Sequence, residues 1–126
     1  AIAMMSAYSS FLLIWDKLTW YGAQSYCRRD FTDLASISSS ADNSGAQAFL
    51  PAAITAWIGL SRTTWTWSDK NQSTFRNWQN GEPMKLDKNC ALIDTDLQSR
   101  WVEESCSETL PFLCYTDDEQ TAGGFN

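Results

Sequence analysis

Four cysteines, Cys27, Cys90, Cys106 and Cys114, constrain this chain more than any other feature. No two of them stand as CxxC, the spacing that a zinc ribbon or a thioredoxin-type redox site needs. An even number spread along 126 residues suits two disulfides formed in an oxidising compartment. Spacing alone leaves all three pairings open. The length is that of one domain. With 44% hydrophobic residues and seven tryptophans there is ample material for a single core.

Charge and composition narrow the function classes. A net charge of −6 repels phosphate backbones, so nucleic acid is not an expected partner. The charges are scattered, with no basic block suited to an anionic membrane. The longest early apolar run, residues 11–15, is far too short to span a bilayer, so no membrane insertion by this segment is expected. No basic n-region precedes an apolar stretch, so no signal peptide is read here. The chain has no histidine. That removes the commonest general base and the commonest zinc ligand, and argues against an enzyme.

Local patterns give an order of elements. Residues 9–15 (SSFLLIW) have strand character. Thr19 is a candidate N-cap for a helix over 20–29, where Trp20, Ala23, Tyr26 and Cys27 share one face. Residues 34–37 read as a short strand or extended link. A second helix is expected over about 42–50, ending near Pro51, with Asn43 and Gly45 weakening it. Residues 56–60 form a buried-strand run, and 64–67 (TWTW) alternate so that Trp65 and Trp67 share a side. A polar loop over 68–82 carries Phe75 and Trp78 as aromatic anchors. Residues 90–93 and 100–103 read as strands joined by a turn, and 110–115 as a last strand. Helices early and strands late point to an α+β domain. The expected organisation is an N-terminal extension over 1–8, a domain over 9–116 and an acidic, glycine-containing tail over 117–126. One sequon, Asn71-Gln72-Ser73, makes Asn71 a glycosylation candidate.

From Ser9 to Tyr115 these residues resemble the C-type lectin-like domains. The resemblance rests on Thr19-Trp20, Ala23-Gln24 and Tyr26-Cys27, then on Asp33-Leu34-Ala35-Ser36-Ile37 and Trp57-Ile58-Gly59-Leu60. It continues through Trp67-Ser68-Asp69 and Phe75-Arg76-Asn77-Trp78 to Gly81-Glu82-Pro83. It closes with Trp101, Cys106 and Leu110-Pro111-Phe112-Leu113-Cys114. The resemblance implies the C-type lectin fold, in which two helices flank small antiparallel sheets and a long loop region carries the ligand site. It also implies the pairs Cys27–Cys114 and Cys90–Cys106, the short form of the family. On a chain-entropy basis a loop near a hundred residues is worth roughly 4–5 kcal/mol and one of about fifteen roughly 3 kcal/mol.

In sugar-binding members of that family a Ca²⁺ in the long loop coordinates sugar hydroxyls. It draws on a Glu-Pro-Asn triplet, a Glu two residues before the cysteine, and an Asn-Asp pair after the late tryptophan. At the matching positions this chain has Glu82, Pro83 and Met84, then Lys88, then Val102 and Glu103. Only Glu82 is kept among the side-chain ligands. Glu103 keeps the charge with a longer reach. A thioether is too soft for Ca²⁺, a valine offers no oxygen, and an ammonium about 4 Å from a divalent ion repels it by several kcal/mol at an effective dielectric near 20. No metal is therefore expected at this site, and no cofactor. The expectation is that Lys88 takes the place of the ion and pairs with Glu82 or Glu103. Met84 and Leu86 are alternatively inward-packing residues. Asp87, Asp94 and Asp96 are a further, non-standard candidate for binding calcium.

The sequence thus reads as an extracellular binding module, secreted or part of a receptor ectodomain. Its expected partner is a protein, or a glycan held without metal. The candidate contact residues are Arg76, Glu82, Pro83, Met84, Lys85, Asp87, Lys88, Asn89, Arg100 and Glu103. Alternatives are a calcium-dependent carbohydrate-binding lectin with altered coordination and a structural unit of a multi-domain receptor. A homodimer or tandem domains are compatible with either.

Overall fold

The computed structural model describes residues 9–84 and 87–117. The expected terminal extension, the tail beyond residue 117, and the candidates Lys85 and Leu86 lie outside them. The order is β1 (Ser9–Leu18), α1 (Trp20–Asp30), β2 (Asp33–Leu34), α2 (Ser40–Gln47), β3 (Thr55–Ser61), β4 (Thr66–Trp67), β5 (Cys90–Asp94), a 3₁₀ turn (Thr95–Leu97), β6 (Arg100–Glu104) and β7 (Leu110–Asp117).

The strands run β1-β7-β3-β5-β6 across one sheet, with β2 added to β7 and β4 to β3. β1 pairs antiparallel with β7 from Ser9↔Asp117 to Leu18↔Leu110, so the chain ends are tied together. The separate antiparallel sheets expected for the fold are joined by one parallel contact, Trp57↔Phe112 between β3 and β7. Side-chain alternation then builds two layers of core. Ala56, Ile58 and Leu60 of β3, Ala91 and Ile93 of β5, and Leu113 and Tyr115 of β7 face one way, toward Ala46 of α2. Trp57, Cys90, Leu92, Phe112 and Cys114 face the other way, toward Trp20, Ala23 and Cys27 of α1. Both faces are covered, which is why the interior of β3, Ala56 to Leu60, is apolar without a break. Cys27–Cys114 ties α1 to β7, and Cys90–Cys106 ties the start of β5 to the chain just after β6.

α1 starts where its cap predicts: the Thr19 hydroxyl accepts from the Gly22 N–H at 3.2 Å. α2 lies earlier than expected, over Ser40–Gln47 rather than about 42–50. After Ser39 caps Asp42 at 3.0 Å, the helix ends at Gln47 and turns out through Phe49 N–H to Ala46 and Leu50 N–H to Gln47. Asn43, a poor helix former, has a tertiary role. Buried in α2, it donates to the Ser99 carbonyl at 3.1 Å and accepts from the Trp101 indole at 2.9 Å. β4 covers only Thr66 and Trp67, so Trp65 precedes the strand as a half-buried residue. Gly59 admits a close crossing: an added Cβ would lie 3.0 Å from the carbonyl oxygens of Leu34 and Ala35.

The long loop is held by aromatic anchors. Trp101 has Trp67 at 5.5 Å, Phe75 at 5.8 Å and Trp78 at 6.0 Å between ring centroids, all edge-to-face. Trp78 also bridges Trp101 in parallel, with Trp101 N–H to Asn77 O at 2.8 Å and Gln79 N–H to Trp101 O at 2.9 Å. Residues 77–79 thus run beside β6 in its own direction, which carries the following residues, Glu82 to Met84, toward Glu103. The tryptophans differ in what they donate. Trp101 gives its indole N–H to Asn43, whereas that of Trp67 has no acceptor among the described residues. Trp101→Phe is therefore expected to cost about 1–2 kcal/mol more in urea unfolding than Trp67→Phe, because it leaves the buried Asn43 oxygen unpaired. Equal losses would remove that bond from the account.

Candidate functional site

The site lies where the end of β3, the entry to β5, the end of β6 and the long loop meet. β6 alternates, so Glu103 shares the inward face of Trp101 while Glu104 turns toward the rim. Glu103 is 1% exposed, and a buried carboxylate needs partners. It has a cation and a backbone donor. Arg62 Nη2 lies 2.8 Å from Glu103 Oε2, and the Met84 N–H donates to Glu103 Oε1 at 2.6 Å. The Glu103 N–H in turn donates to Glu82 Oε1 at 3.0 Å. Glu82, Met84 and Glu103 are thus brought together as the sequence suggests, and the Glu82–Pro83 peptide is cis.

The cation at the centre is Arg62, which the sequence reading did not single out. Arg62 directly follows β3, and the Ser61↔Cys90 register sets its backbone opposite Asn89, with Arg62 N–H to Asn89 O at 3.0 Å. Its guanidinium also donates to Asn89 Oδ1 and to the Lys88 carbonyl, both at 3.3 Å, and lies 4.7 Å from the centre of the Trp65 ring. The signal was the long-range register, which local pattern does not carry.

Lys88 departs from its expected pairing. The expected pair with Glu82 or Glu103 does not form; Lys88 Nζ donates to Glu104 Oε2 at 3.1 Å. The inward place is filled by Arg62, and an ammonium is better hydrated at the rim. The Glu104 carboxylate, by hydrogen bond and charge, holds the Lys88 pKa above its usual value. Of the two readings of Met84, contact residue or inward-packing residue, the inward one does not hold. The Met84 backbone is tied to Glu103, but its side chain is 76% exposed.

Other candidates are dispersed. Arg100 sits at the opposite end of β6 from Glu104, about 13 Å along the strand, and pairs in register with Asp94. Arg76 staples the loop, donating to the carbonyls of Ser73 (3.1 Å), Phe75 (2.8 Å) and Trp65 (3.4 Å). Burial lowers its pKa from the usual arginine value. Asp94 caps the 3₁₀ turn by accepting from Asp96 N–H at 2.9 Å, and Asp87 is exposed. Asn71 is half-buried and engaged. Its amide donates to Asp69 Oδ1 at 2.7 Å and to Ser36 Oγ, and its oxygen accepts from Ser73 N–H at 2.9 Å. Asp69 also accepts from the Tyr115 hydroxyl at 2.8 Å. Burial and that carboxylate together raise the Tyr115 pKa well above its ordinary value.

Calcium requires six to eight oxygen ligands, several of them charged. Here both Glu103 oxygens are engaged, one by a guanidinium, and Glu82 Oε1 holds a backbone N–H. Among the described residues no three His, Cys, Asp or Glu side chains are grouped to hold a metal ion. This donor set does not fit the ion. No helix among the described residues is long and apolar enough to cross a membrane.

The Lectin C-type domain family matches residues 16–116. C-type lectin lectoxin-Enh4 of Pseudoferania polylepis is 32% identical over 112 residues, 79% of this chain and 71% of that protein. C-type mannose receptor 2 of Homo sapiens is 30% identical over 111 residues, 83% of this chain but 8% of the receptor. The solved structure of a calcium-independent type II antifreeze protein aligns with a TM-score of 0.79 at 23% identity, over 86% of this chain and 85% of that one. At that identity the likeness establishes the fold alone.

Proposed function

This chain belongs to the C-type lectin domain family, and from that premise we propose that it is an extracellular binding module that engages its partner without calcium. The single observation that supports this most is the ion pair of Arg62 with the buried Glu103, 2.8 Å apart, where the family places a metal ligand. The chain's own guanidinium supplies the positive charge that the metal supplies in sugar-binding relatives. A fixed cation has no open coordination positions, so it cannot take two sugar hydroxyls as calcium does.

The partner is a protein, or a glycan bound by side chains alone. The contact face we assign is the loop around Met84 with the Lys88–Glu104 rim. An exposed methionine over a polar, ion-paired border is the usual make-up of a protein-binding patch. Two disulfides suit an oxidising, extracellular setting. The chain spans only 8% of C-type mannose receptor 2, which supports a place as one unit of a larger receptor as well as a free-standing role.

The test is a glycan array and a panel of candidate protein ligands, each run with calcium and with chelator. Binding that is indifferent to chelator and falls about tenfold with Met84→Ala is the expected result. Binding to mannose or galactose that chelator abolishes would instead make this a calcium-dependent lectin with altered coordination.

A further inference from the structure

We propose a second binding site, for an anionic saccharide, in the groove between β4 and the first half of the long loop. The inference rests on reading the chain as a binding module, but not on the Met84 face. The groove has a volume of about 420 Å³, enough for one or two sugar rings, and is lined by residues 65–67, 70–74 and 76.

Its chemistry stands out against the rest of the chain. The protein carries 15 acidic and nine basic residues, yet no carboxylate lines this groove and two cations do, Lys70 and Arg76. Neither has a carboxylate partner among the described residues. The nearby acid is spoken for, since the Asp69 carboxylate accepts from Tyr115 and Asn71 and is not part of the lining.

The two cations differ in use. Arg76 is fixed by three backbone carbonyls, so its charge is held in place without being neutralised. Lys70 is exposed and can swing onto a ligand. Thr66, Gln72, Ser73 and Thr74 add hydroxyls and an amide, and Trp65 adds an apolar wall. A sulfate or carboxylate on the ligand would meet the cations. The ring hydroxyls would find the polar side chains, and the ring's C–H groups the part of the Trp65 indole that lines the groove. A plain acidic peptide would satisfy the cations but leave that neutral polar lining unused.

The experiment is a two-dimensional amide NMR titration of the intact chain, in chelator, with a sulfated heparin-derived disaccharide and with its desulfated counterpart. The expected result is shifts concentrated in residues 65–76 with the sulfated sugar, weakened by added salt and largely absent with the desulfated one. Lys70→Glu, at an exposed position, should keep the spectrum of the folded chain and weaken binding at least about tenfold. No response at millimolar sulfated sugar, binding that Lys70→Glu leaves unchanged, or equal binding of a glutamate-rich peptide would each overturn the proposal. A partner of the Met84 face should keep its affinity in Lys70→Glu and lose it in Met84→Ala, so the two sites fail separately.

Discussion

Removing the Cys27–Cys114 disulfide by the double substitution Cys27→Ala, Cys114→Ala is expected to cost about 4–5 kcal/mol. The bridge closes a loop of 87 residues, and its removal returns that loop's conformational entropy to the unfolded chain. Both sulfurs are fully buried between α1 and β7, so the substitution also loosens the packing of Trp20 and Phe112 there. A domain of this size has about 5–15 kcal/mol in total, so the variant should be partly unfolded at body temperature. Cys90–Cys106 closes only 16 residues and should cost less, about 3 kcal/mol, when replaced in the same way. Urea unfolding of both variants checks the order. A larger loss from the short loop would mean that local packing near Cys90, rather than chain entropy, dominates.

Arg62→Ala is expected to destabilise the fold by about 3 kcal/mol. It removes the guanidinium 2.8 Å from the Glu103 carboxylate, whose side chain is 0% exposed. Arg62 itself is 21% exposed, so some water reaches the vacated place and softens the loss. Arg62→Lys should cost less, because it keeps the charge but not the fork that also reaches Asn89 and the Lys88 carbonyl. Lys88→Ala, which breaks only the rim pair with Glu104, should cost well under 1 kcal/mol. Chemical denaturation of the three variants gives the ranking. If Lys88→Ala costs as much as Arg62→Ala, the assignment of the central cation is wrong.

Much of the fold was legible in the sequence because its signals are local. Thr19 caps α1 through its own hydroxyl, and the apolar runs of β3, β5 and β7 are the strands. The family resemblance supplied the disulfide pairing, which spacing alone left open. What the sequence did not carry was long-range. Asn43 looked like a weak point in α2, whereas its amide holds Trp101, 58 residues away. β1 reaches Leu18 through an irregular register after Ile14, in a stretch without apolar alternation. At the candidate site the positions of Glu82, Met84 and Glu103 were legible from motif matching. The partner of Glu103 was not, since Arg62 arrives from the residue just beyond β3 and belongs to no local motif. Lys88 showed the right sign at the expected place in the chain, but strand alternation hands it Glu104 at the rim.

The site holds a cation of its own, Arg62 beside Glu103. Whether that arrangement excludes calcium is read by calorimetric titration of calcium into the wild-type protein. No saturable heat is expected up to millimolar calcium, since an entering ion must displace a guanidinium 2.8 Å from its carboxylate. A micromolar binding isotherm that disappears with Glu82→Ala would contradict it.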